Sequence, residues 1–482
     1  MNNLKIGLVG VTQANFAGGA AGTGGKEKLF KDGVAGIKAL AAELRVNLYA
    51  YPKLLINDAD TMEACAVLEG EKVDFLLVHV TTFAAGEIII RLAKHFPRLG
   101  IWALPEPATE GSVFFDSINS FCGLNMYGGI LSHYLKDEGI QYKWFYGNAE
   151  DARLLRRLTV TVRALSAVKK MRGAKVGLLG GIAPGFNDLY FDERIAQKRL
   201  GLNIQRNHEF SEIKQRAQAY TEAELADAKA EALSGYTNCA AMSAECLEMH
   251  ARFYKAYRDF CRDGGYDALA ISCWPKMQEE MNSLSCSIIG KLNQNGIPAA
   301  CEGDLPGAVS MLMQKYIAEQ PTTLMDLSGI DESNHSVLMW HCGPSPECYA
   351  DAKGACLCVS RQPAGEGKIS QRGMVIDMVF MPQPVTFMRI TGEWDRMFLL
   401  NGDVLENQKP SLDGSRGWVG NLRLNRRPID AMDLVNTILV HGMQHHYPMI
   451  AGDIAEELLE AAAWLGIAPL EAIPYENYLQ TH

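Results

Sequence analysis

Residues Lys5–Val11, KIGLVGV, and Phe75–Val80, FLLVHV, are short and continuous apolar runs in the first third of the chain. Runs of this length without alternating polar residues are typical of strands that are buried on both faces of a sheet. Segments with helical spacing separate them. The strands predicted here are Lys5–Val11, Val46–Tyr51, Phe75–Val80 and Gly100–Leu104, and the helices are Gly33–Glu43, Thr61–Leu68 and Gly86–His95. This alternation predicts a parallel sheet in an α/β domain.

The same alternation starts again after a long helical segment rich in Arg and Lys, Ala152–Met171. The strands predicted in this second part are Ala174–Leu179, Ala268–Ser272 and Ile297–Cys301, and the helices are Thr221–Ala232, Ala244–Arg262 and Cys286–Asn295. We therefore expect two consecutive doubly wound α/β domains, with the boundary near Arg172.

The pattern changes from about Thr322, where strand-like segments are separated by Gly, Pro and Asn turns. The segments are Met374–Pro382, Val385–Ile390 and Met397–Val404, followed by two helical segments, Ala431–Leu439 and Gly452–Leu465. This predicts an antiparallel β-rich C-terminal domain with closing helices. The expected domains are 1–171, 172–321 and 322–482.

Length and composition restrict the class of protein. The 482 residues suit about three domains. The net charge of -10 argues against a nucleic-acid binder, which needs a basic surface. No uninterrupted apolar run is long enough for a membrane span, and the first residues do not resemble a signal peptide. The 12 cysteines are scattered, several of them in apolar runs, which is typical of reduced thiols. We expect a cytoplasmic protein.

Two glycine-rich stretches fail the phosphate-binding patterns. Ala17–Glu27 lacks the spacing of a phosphate loop, and a flexible loop is expected there. Gly177–Phe186 follows a strand but lacks Gly-x-Gly-x-x-Gly, so a dinucleotide site is not expected. Loops at this end of parallel strands still hold ligands in α/β domains. Three residues of this loop are kept as candidate lining of a site, with a structural turn as the alternative: Pro184, Gly185 and Asn187.

Cysteine motifs give no specific signal. Cys356 and Cys358 are separated by one residue, and no second pair lies at zinc-site spacing. Cys273 follows a predicted strand, but without an assigned base it is interpreted as a packing residue.

Four segments in the second half combine carboxylates with imidazoles. They are Cys301–Pro306, Leu324–Ser328, Met339–Gly343 and His441–Tyr447. Each has a simpler explanation, since an acid at a strand end often caps a helix and a histidine in an apolar run is often a core residue. Together, however, they form an oxygen-rich ligand set that suits Mn²⁺, Mg²⁺ or a similar divalent cation better than a thiolate zinc site.

The order of these motifs resembles the L-fucose isomerase and L-arabinose isomerase superfamily. Cys301-Glu302-Gly303-Asp304 is similar to the Gly-Glu-Gly-Asp of the arabinose enzymes, and Asp326, His341 and the pair His445-His446 match later motifs in order. Weaker similarities are Gln13, Ser120–Gly123 and Leu179–Phe191. The resemblance covers nearly the whole chain. It implies two α/β domains and a β-rich domain, a Mn²⁺ site (or one for Mg²⁺ or Co²⁺), and a trimer or hexamer whose sites are completed by a neighbouring subunit.

The resemblance also implies roles for individual residues. Glu302, Asp326 and His446 are the first-choice metal ligands, with His341 next and His445 as the alternative to His446. Glu302 and Asp326 are also the expected catalytic pair. The residues expected around the substrate depart from the arabinose pattern at Cys273–Lys276, so the resemblance does not imply which sugar is the substrate. The candidate substrate-binding residues are Gln13, Trp274, Trp394, Trp418, Asn436 and His445.

The resemblance therefore implies a metal-dependent aldose–ketose isomerase that acts on a free or modified monosaccharide. The metal would polarise the carbonyl, one carboxylate would take the C2 proton to give an enediol, and the other would handle the hydroxyl proton. A sub-case is a sulfo-sugar such as sulfoquinovose, whose anion Lys276, Arg389 or Arg396 would meet. The alternatives are a metal-dependent epimerase or lyase, which forms no ketose, and a non-catalytic sugar-binding protein, which would bind sugar without metal.

Overall fold

The computed structural model describes residues 3–14, 25–106, 118–360, 373–406, 409 and 411–481. The chain divides into two compact units, Met1–Lys169 and Lys170–His482. The three-domain division at 171 and 321 stays a prediction. Most of the glycine-rich segment Ala17–Glu27, expected to be a flexible loop, lies outside the described residues.

The first unit contains a five-stranded parallel sheet, as the apolar runs predict. The strand order is β2-β1-β3-β4-β5. The strands are β1 (Lys5–Val11), β2 (Asn47–Leu55), β3 (Phe75–Val80), β4 (Arg98–Ala103) and β5 (Gln141–Tyr146). The helices are α1 (Lys26–Glu43), α2 (Asp58–Gly70), α3 (Gly86–His95), α4 (Ser120–Gly129) and α5 (Ala152–Met171). Strand β3 is buried along its whole length, which explains why its sequence is apolar except for His79.

The second unit begins with a four-stranded parallel sheet in the order β7-β6-β8-β9. Its strands are β6 (Lys175–Leu179), β7 (Asn203–His208), β8 (Ala268–Ile271) and β9 (Ala299–Ala300). The helices are α6 (Glu193–Leu200), α7 (Phe210–Ala219), α8 (Glu222–Leu233), α9 (Ala244–Gly264), α10 (Lys276–Met281), α11 (Cys286–Gln294) and α12 (Leu305–Ala318). Helix α8 begins where the sequence predicts, because Thr221 and Glu224 form a capping box.

The rest of the second unit is β-rich and contains a closed barrel. Six strands pair in the order β16-β11-β10-β18-β14-β15, and β15 pairs back to β16, all antiparallel. The barrel strands are β10 (Thr322–Asp331), β11 (Ser336–His341), β14 (Pro384–Ile390), β15 (Arg396–Val404), β16 (Ser415–Leu424) and β18 (His446–Ala451). Additional strands are β12 (Cys356–Val359), β13 (Met374–Val379), β17 (Arg427–Pro428) and β19 (Ala468–Pro469), and the helices are α13 (Ala431–Val440) and α14 (Ala455–Leu465).

Parallel-sheet α/β parts followed by a β-rich part are thus confirmed, and the barrel is an addition to the predicted fold. That both α/β parts are doubly wound stays a prediction.

Helix α12 connects the two parts of the second unit, and its residues Leu305–Gln314 are all buried. Asp304 caps the N-terminus of α12, because its carboxylate accepts a hydrogen bond from Gly307 N at 2.9 Å. The segment before α12 therefore lies at the junction of the small sheet and the barrel.

Candidate active site

The backbone that carries Glu302 is held in a tight turn directly after β9. Glu302 has φ of 62° and Gly303 has φ of 73°, so a non-glycine residue lies in the left-handed region. Glu302 O accepts from Ala183 N at 2.9 Å, and Gly303 N donates to Ile271 O at 3.0 Å. A Cβ on Gly303 would lie 2.1 Å from Gly181 O. Strained residues of this kind are concentrated at functional sites, where the surrounding structure fixes the side chain's direction.

Asp326 and His446 enter the site from neighbouring barrel strands. They are directly opposite each other in the antiparallel pair β10–β18, so their side chains leave the same face of the sheet. His446 Nε2 lies 3.7 Å from Asp326 Oδ1 and 3.4 Å from Glu302 Oε2. The turn after β9 and the barrel therefore deliver both carboxylates to one imidazole nitrogen.

His341, the last residue of β11, completes the group. Its ring lies 5.3 Å from that of His446, centroid to centroid. One ligand atom from each of Asp326, His341 and His446 lies within 4.8 Å of the others, and the same holds for Glu302, His445 and His446. The structure thus brings together all of the residues for which the sequence suggests metal binding, as well as His445.

Three buried atoms in this group accept or donate no hydrogen bond within the described parts of the chain: Asp326 Oδ1, His341 Nε2 and His446 Nε2. An unsatisfied buried polar atom costs about 1–3 kcal/mol, so three of them within one group need a ligand to satisfy them. With Glu302, which also lies near His446 Nε2, Asp326 and His446 supply two carboxylates and an imidazole, a donor set that a hard divalent cation prefers. The residues present therefore fit such an ion.

A buried layer behind the site, Asp304, Arg389 and Gln444, fixes His446. Asp304 Oδ2 lies 3.0 Å from His446 Nδ1, and Arg389 binds both oxygens of Asp304 at 2.6 and 3.0 Å. Arg389 also donates to Gln444 Oε1 and to His446 O. Burial opposes the charge of Asp304, but Arg389 and His446 hold the pKa of this carboxyl well below its usual range. This layer was missed by sequence reasoning, which interpreted Asp304 as part of a motif and Arg389 as a candidate anion ligand.

Hydrogen bonds distinguish the three histidines. The carboxylate of Asp304 only accepts, so His446 Nδ1 carries the proton and its Nε2 presents a lone pair. His341 Nδ1 accepts from Cys342 N at 2.8 Å, so its Nε2 carries the proton. His445 lies between two carboxylates: Nδ1 is 2.7 Å from Asp188 Oδ2 and Nε2 is 3.2 Å from Glu302 Oε2.

The charges of the exposed side of the site follow from these contacts. Burial opposes protonation of His445, but its hydrogen bonds to Glu302 and Asp188 raise its pKa to about 9. Burial also acts to raise the pKa of Glu302, but the hydrogen bond from His445 and the nearby His446 and His341 lower it overall. At neutral pH, Glu302 is therefore ionised and His445 is its cationic partner.

Two aromatic rings extend the site beyond His445. The ring of Phe186 lies 5.3 Å from that of His445 and 6.0 Å from that of Trp274. Phe186 and Asp188 belong to the loop after β6, in which the sequence singles out Pro184, Gly185 and Asn187. Pro184, Gly185 and Asn187 lie on either side of Phe186, and all three are exposed. Position at the carboxyl end of a parallel strand was the signal that could have found Phe186 and Asp188.

Other candidate substrate residues make their contacts elsewhere. Trp394 is fully buried, and its indole N–H donates to Asp192 O at 2.9 Å, which supports the loop that carries Phe186 and Asp188. Trp418 lies on β16 with Lys409 4.6 Å from its ring centre. The amide of Asn436 donates to Ile473 O, Pro474 O and Gln480 Oε1. A role in sugar binding for Trp394, Trp418 or Asn436 stays a prediction.

Gln13 follows β1 in the first unit, where its backbone N–H donates to Thr82 Oγ1 at 3.4 Å. Its role also stays a prediction.

Among the cations considered for an anionic sugar, Arg389 is fully buried and engaged by Asp304. Lys276 is half-exposed and pairs with Glu209 at 2.6 Å. Arg396 lies 3.4 Å from His441 Nδ1.

The fold and this carboxylate–imidazole centre are consistent with an enzyme that isomerises a sugar, and comparison with known proteins supports this class. The chain is 24% identical to the sulfoquinovose isomerase of Priestia megaterium (strain ATCC 12872 / QMB1551), over 83% of this chain and 86% of the relative. It is 24% identical to that of Alkalicoccus urumqiensis, over 87% and 91%. It is 27% identical to that of Clostridium sp. (strain MSTE9), over 83% and 86%. The prediction of a sugar aldose–ketose isomerase is confirmed.

Other comparisons add little. No family model matches the chain. A periplasmic solute binding protein of an ABC transporter from Actinobacillus succinogenes 130z, with bound D-allose, is 12% identical over 66% of this chain and 93% of that one, at a TM-score of 0.16. A score this low does not establish a shared fold. No helix in the described residues is long and apolar enough to cross a membrane. The fucose and arabinose isomerase superfamily, a trimer or hexamer, and a cytoplasmic location stay predictions.

Proposed function

We propose that the chain is a divalent-cation-dependent aldose–ketose isomerase for a sulfo-sugar of the sulfoquinovose type, with its catalytic centre at Glu302, Asp326, His341 and His446. The observation that carries the catalytic centre is the convergence of three buried polar atoms without hydrogen-bond partners in the described residues, on Asp326, His341 and His446. The proposed cation is Mn²⁺, with Mg²⁺ or Co²⁺ as substitutes.

Glu302, Asp326 and His446 would hold the cation. The tautomer of His446 supports this assignment, because Asp304 leaves the Nε2 lone pair facing both carboxylates. His445 is less suited as a ligand, since both of its ring nitrogens face carboxylates. A bound divalent cation supplies Lewis-acid polarisation of the sugar carbonyl and offsets the charge that develops on the two neighbouring oxygens.

The protein side chains would move the protons. One of the two carboxylates, Glu302 or Asp326, takes the proton from C2 and returns it to C1, and the other transfers the hydroxyl proton. The low pKa of Glu302 keeps this carboxylate ionised and able to accept. His341 would donate its Nε2 proton to a sugar oxygen instead of binding the cation, because its Nδ1 already accepts from Cys342. Phe186 and Trp274 would pack against an apolar face of the ring.

The sulfo-sugar assignment rests on the substrate of the relatives. An exposed cation near the aromatic rings would bind the sulfonate. Lys276 begins helix α10 two residues after Trp274, and its side chain is half-exposed, whereas Arg389 is fully engaged by Asp304. We therefore propose Lys276 as the sulfonate contact within this chain.

The test is an isomerisation screen in D₂O. Protein stripped with chelator receives Mn²⁺ and then sulfoquinovose, glucose, L-fucose or L-arabinose, and NMR follows ketose formation and deuterium uptake. We expect metal-dependent conversion of sulfoquinovose, and loss of at least about 100-fold in Glu302→Gln and Asp326→Asn. Control variants are Glu319→Gln, at the exposed end of α12, and Asp331→Asn, at the far end of β10.

Full conversion by the stripped protein would contradict the metal requirement. Conversion of an uncharged sugar in preference to sulfoquinovose would contradict the substrate assignment but leave the centre intact. Lys276→Met tests the sulfonate contact separately from the catalytic centre. It should raise KM for sulfoquinovose and leave KM for any slow uncharged sugar unchanged. Equal effects on both sugars would remove Lys276 from the sulfonate site.

A further inference from the structure

Four cysteines form a buried cluster beside the candidate active site, although they are far apart in sequence. Cys286 Sγ lies 3.3 Å from Cys342 Sγ, and Cys301 Sγ lies 3.1 Å from Cys273 Sγ. Cys301 directly precedes Glu302, and Cys342 directly follows His341. Cys273, Cys286 and Cys301 are buried, whereas Cys342 is partly exposed. Cys342 is therefore the member of the cluster with part of its surface exposed, and its sulfur is in contact with that of Cys286.

We propose that Cys342 and Cys286 form a reversible disulfide that switches the isomerase off. Hydrogen peroxide is the oxidant. It oxidises the Cys342 thiol to a sulfenic acid and is reduced to water. The Cys286 sulfur then attacks the Cys342 sulfur, the S–S bond forms, and the sulfenic hydroxyl leaves as a second water after taking up the Cys286 proton. Two thiols lose two hydrogens in total, and a dithiol reductant reverses the change.

Backbone packing holds the two thiols together. Helix α11, which begins at Cys286, lies against the segment that follows Cys342: a Cβ on Gly290 would be 2.8 Å from Ser345 O. Asn293 of the same helix donates to Pro344 O at 3.2 Å. Because both segments are fixed, the sulfur atoms need to approach by only about 1 Å to reach bonding distance.

The location of Cys286 suits the second step. It is the first residue of α11, and a helix N-terminus favours a thiolate. Hydrogen bonds from Cys301 and Cys342 lower the pKa of Cys286 in spite of its burial. In the reduced cluster Cys286 is thus the thiol with the lowered pKa, and its place at the helix N-terminus suits it to be the attacking sulfur.

Closure of the disulfide would disturb His341. Cys342 N donates to His341 Nδ1 at 2.8 Å, and Cys342 Sγ lies 3.2 Å from the same nitrogen. Pulling the Cys342 sulfur toward Cys286 changes both contacts and with them the direction of His341 Nε2. A misplacement of about 1 Å in a catalytic group can cost about 100-fold in rate. This consequence, unlike the disulfide itself, rests on the proposed role of His341.

The test uses the full chain, stripped with chelator, exposed to hydrogen peroxide and quenched with catalase. Peptide mapping by mass spectrometry identifies linked cysteines, and activity is measured after Mn²⁺ is returned. We expect a Cys286–Cys342 link, a rate reduced about 100-fold, and recovery with dithiothreitol. Cys342→Ser and Cys286→Ser should each keep their own starting activity after peroxide. Cys122→Ser, an exposed cysteine of the first unit, should behave like wild type.

The map decides the disulfide without any turnover, so it separates this proposal from the isomerase site. No link, or a link between Cys273 and Cys301 alone, would overturn it. A mapped link with unchanged activity would overturn the switch. Equal inactivation of wild type and Cys342→Ser would assign the loss to another group. If a serine variant fails to fold, Cys342→Ala or Cys286→Ala takes its place, and the wild-type map stands by itself.

Discussion

Asp304 is the residue behind the site on which the role of His446 depends. It is fully buried, lies 3.0 Å from His446 Nδ1 and carries a bidentate ion pair from Arg389. Carboxylates in this relation to a metal-binding histidine set its tautomer and orientation. If one partner of such a buried ion pair is removed, the other is left as an uncompensated buried charge, which is strongly destabilising.

Asp304→Asn should therefore lower cation affinity by about 10–100-fold and the free energy of unfolding by about 3–5 kcal/mol. Calorimetric Mn²⁺ titration and urea denaturation measure the two effects. The double variant Asp304→Asn/Arg389→Met should regain much of the stability without regaining affinity. Asp331→Asn is the matched control. Unchanged affinity in Asp304→Asn would show that Asp304 only supports the fold.

Sequence reasoning identifies the residues of the candidate site but not their hydrogen-bond partners. Glu302, Asp326, His341 and the His445-His446 pair are visible because acids and imidazoles stand at predicted strand ends or in apolar runs. The pairing of Asp304 with Arg389 spans 85 positions, and no local pattern indicates it. The assignment of ring protons likewise depends on contacts made only in the folded chain, such as that between His446 and Asp304.

At the scale of an element, the turn after β9 fixes the direction of Glu302. Gly303→Ala should disrupt it, since the added Cβ would lie 2.1 Å from Gly181 O. Gly296→Ala is the control, because Gly296 also has positive φ (76°) but a Cβ there has no described atom within 4 Å. Both should lose about 1–2 kcal/mol of stability to backbone strain, and Gly303→Ala should lose more because of the overlap with Gly181 O; urea denaturation measures both losses. Only Gly303→Ala should also lose about 100-fold in rate. Equal activities would contradict the role of the turn.

Strand β3 contributes a buried histidine whose titration affects the first unit. Burial lowers the pKa of His79 to about 3, whereas the unfolded chain titrates near 6.5. As the pH falls, the unfolded state therefore takes up a proton before the folded state does. The contribution of neutral His79 to the free energy of unfolding is fully present above pH 6.5 and is lost as the pH falls toward 3. Between pH 7.5 and pH 5 we expect a loss of about 2 kcal/mol from this group.

Urea denaturation at the two pH values measures this loss, with tryptophan fluorescence as the probe, since the ring of Trp102 lies 4.3 Å from that of His79. His79→Gln should remove most of the pH dependence, and His133→Gln, on the exposed side of the segment after α4, should not. The same dependence in His79→Gln and wild type would assign it to other groups.

Elements differ in how far the sequence predicts them. Strands β1, β3 and β6 are apolar runs because they are buried, and they lie where the sequence places them. Strand β7, NIQRNH, is not predicted: it is an outer strand of its sheet and none of its residues is buried, so its composition is polar. Strand β18 is missed because it begins at His446, and the histidines there indicate chemistry before they indicate a strand.

At the scale of the whole molecule, cation binding should stabilise the second unit, Lys170–His482, which contains the complete candidate centre. At 100 times its dissociation constant, an ion that binds only the folded state adds about 2.7 kcal/mol. Scanning calorimetry of stripped protein with and without Mn²⁺ should show the added stability in wild type and its loss in Asp326→Asn. An equal increase in that variant would place the binding elsewhere.

The overall architecture is predicted from the sequence better than its closure. Alternating apolar runs and helices predict the parallel sheets, and Gly-, Pro- and Asn-separated segments predict the β-rich part. The barrel depends on the pairing of β15 with β16, which follow each other along the chain, and on the pairing of β10 with β18, which joins segments distant in sequence. That pairing also sets Asp326 opposite His446, so the feature that completes the fold is the one that assembles the site.

The most direct test of the proposed centre is a Mn²⁺ titration of stripped wild type, His446→Gln and His341→Gln, with free Mn²⁺ followed by electron paramagnetic resonance. We predict one ion per chain in wild type, affinity within a few-fold of wild type in His341→Gln, and a loss of at least about 100-fold in His446→Gln. Unchanged affinity in His446→Gln, or no tight binding to wild type, would contradict a cation held by Glu302, Asp326 and His446.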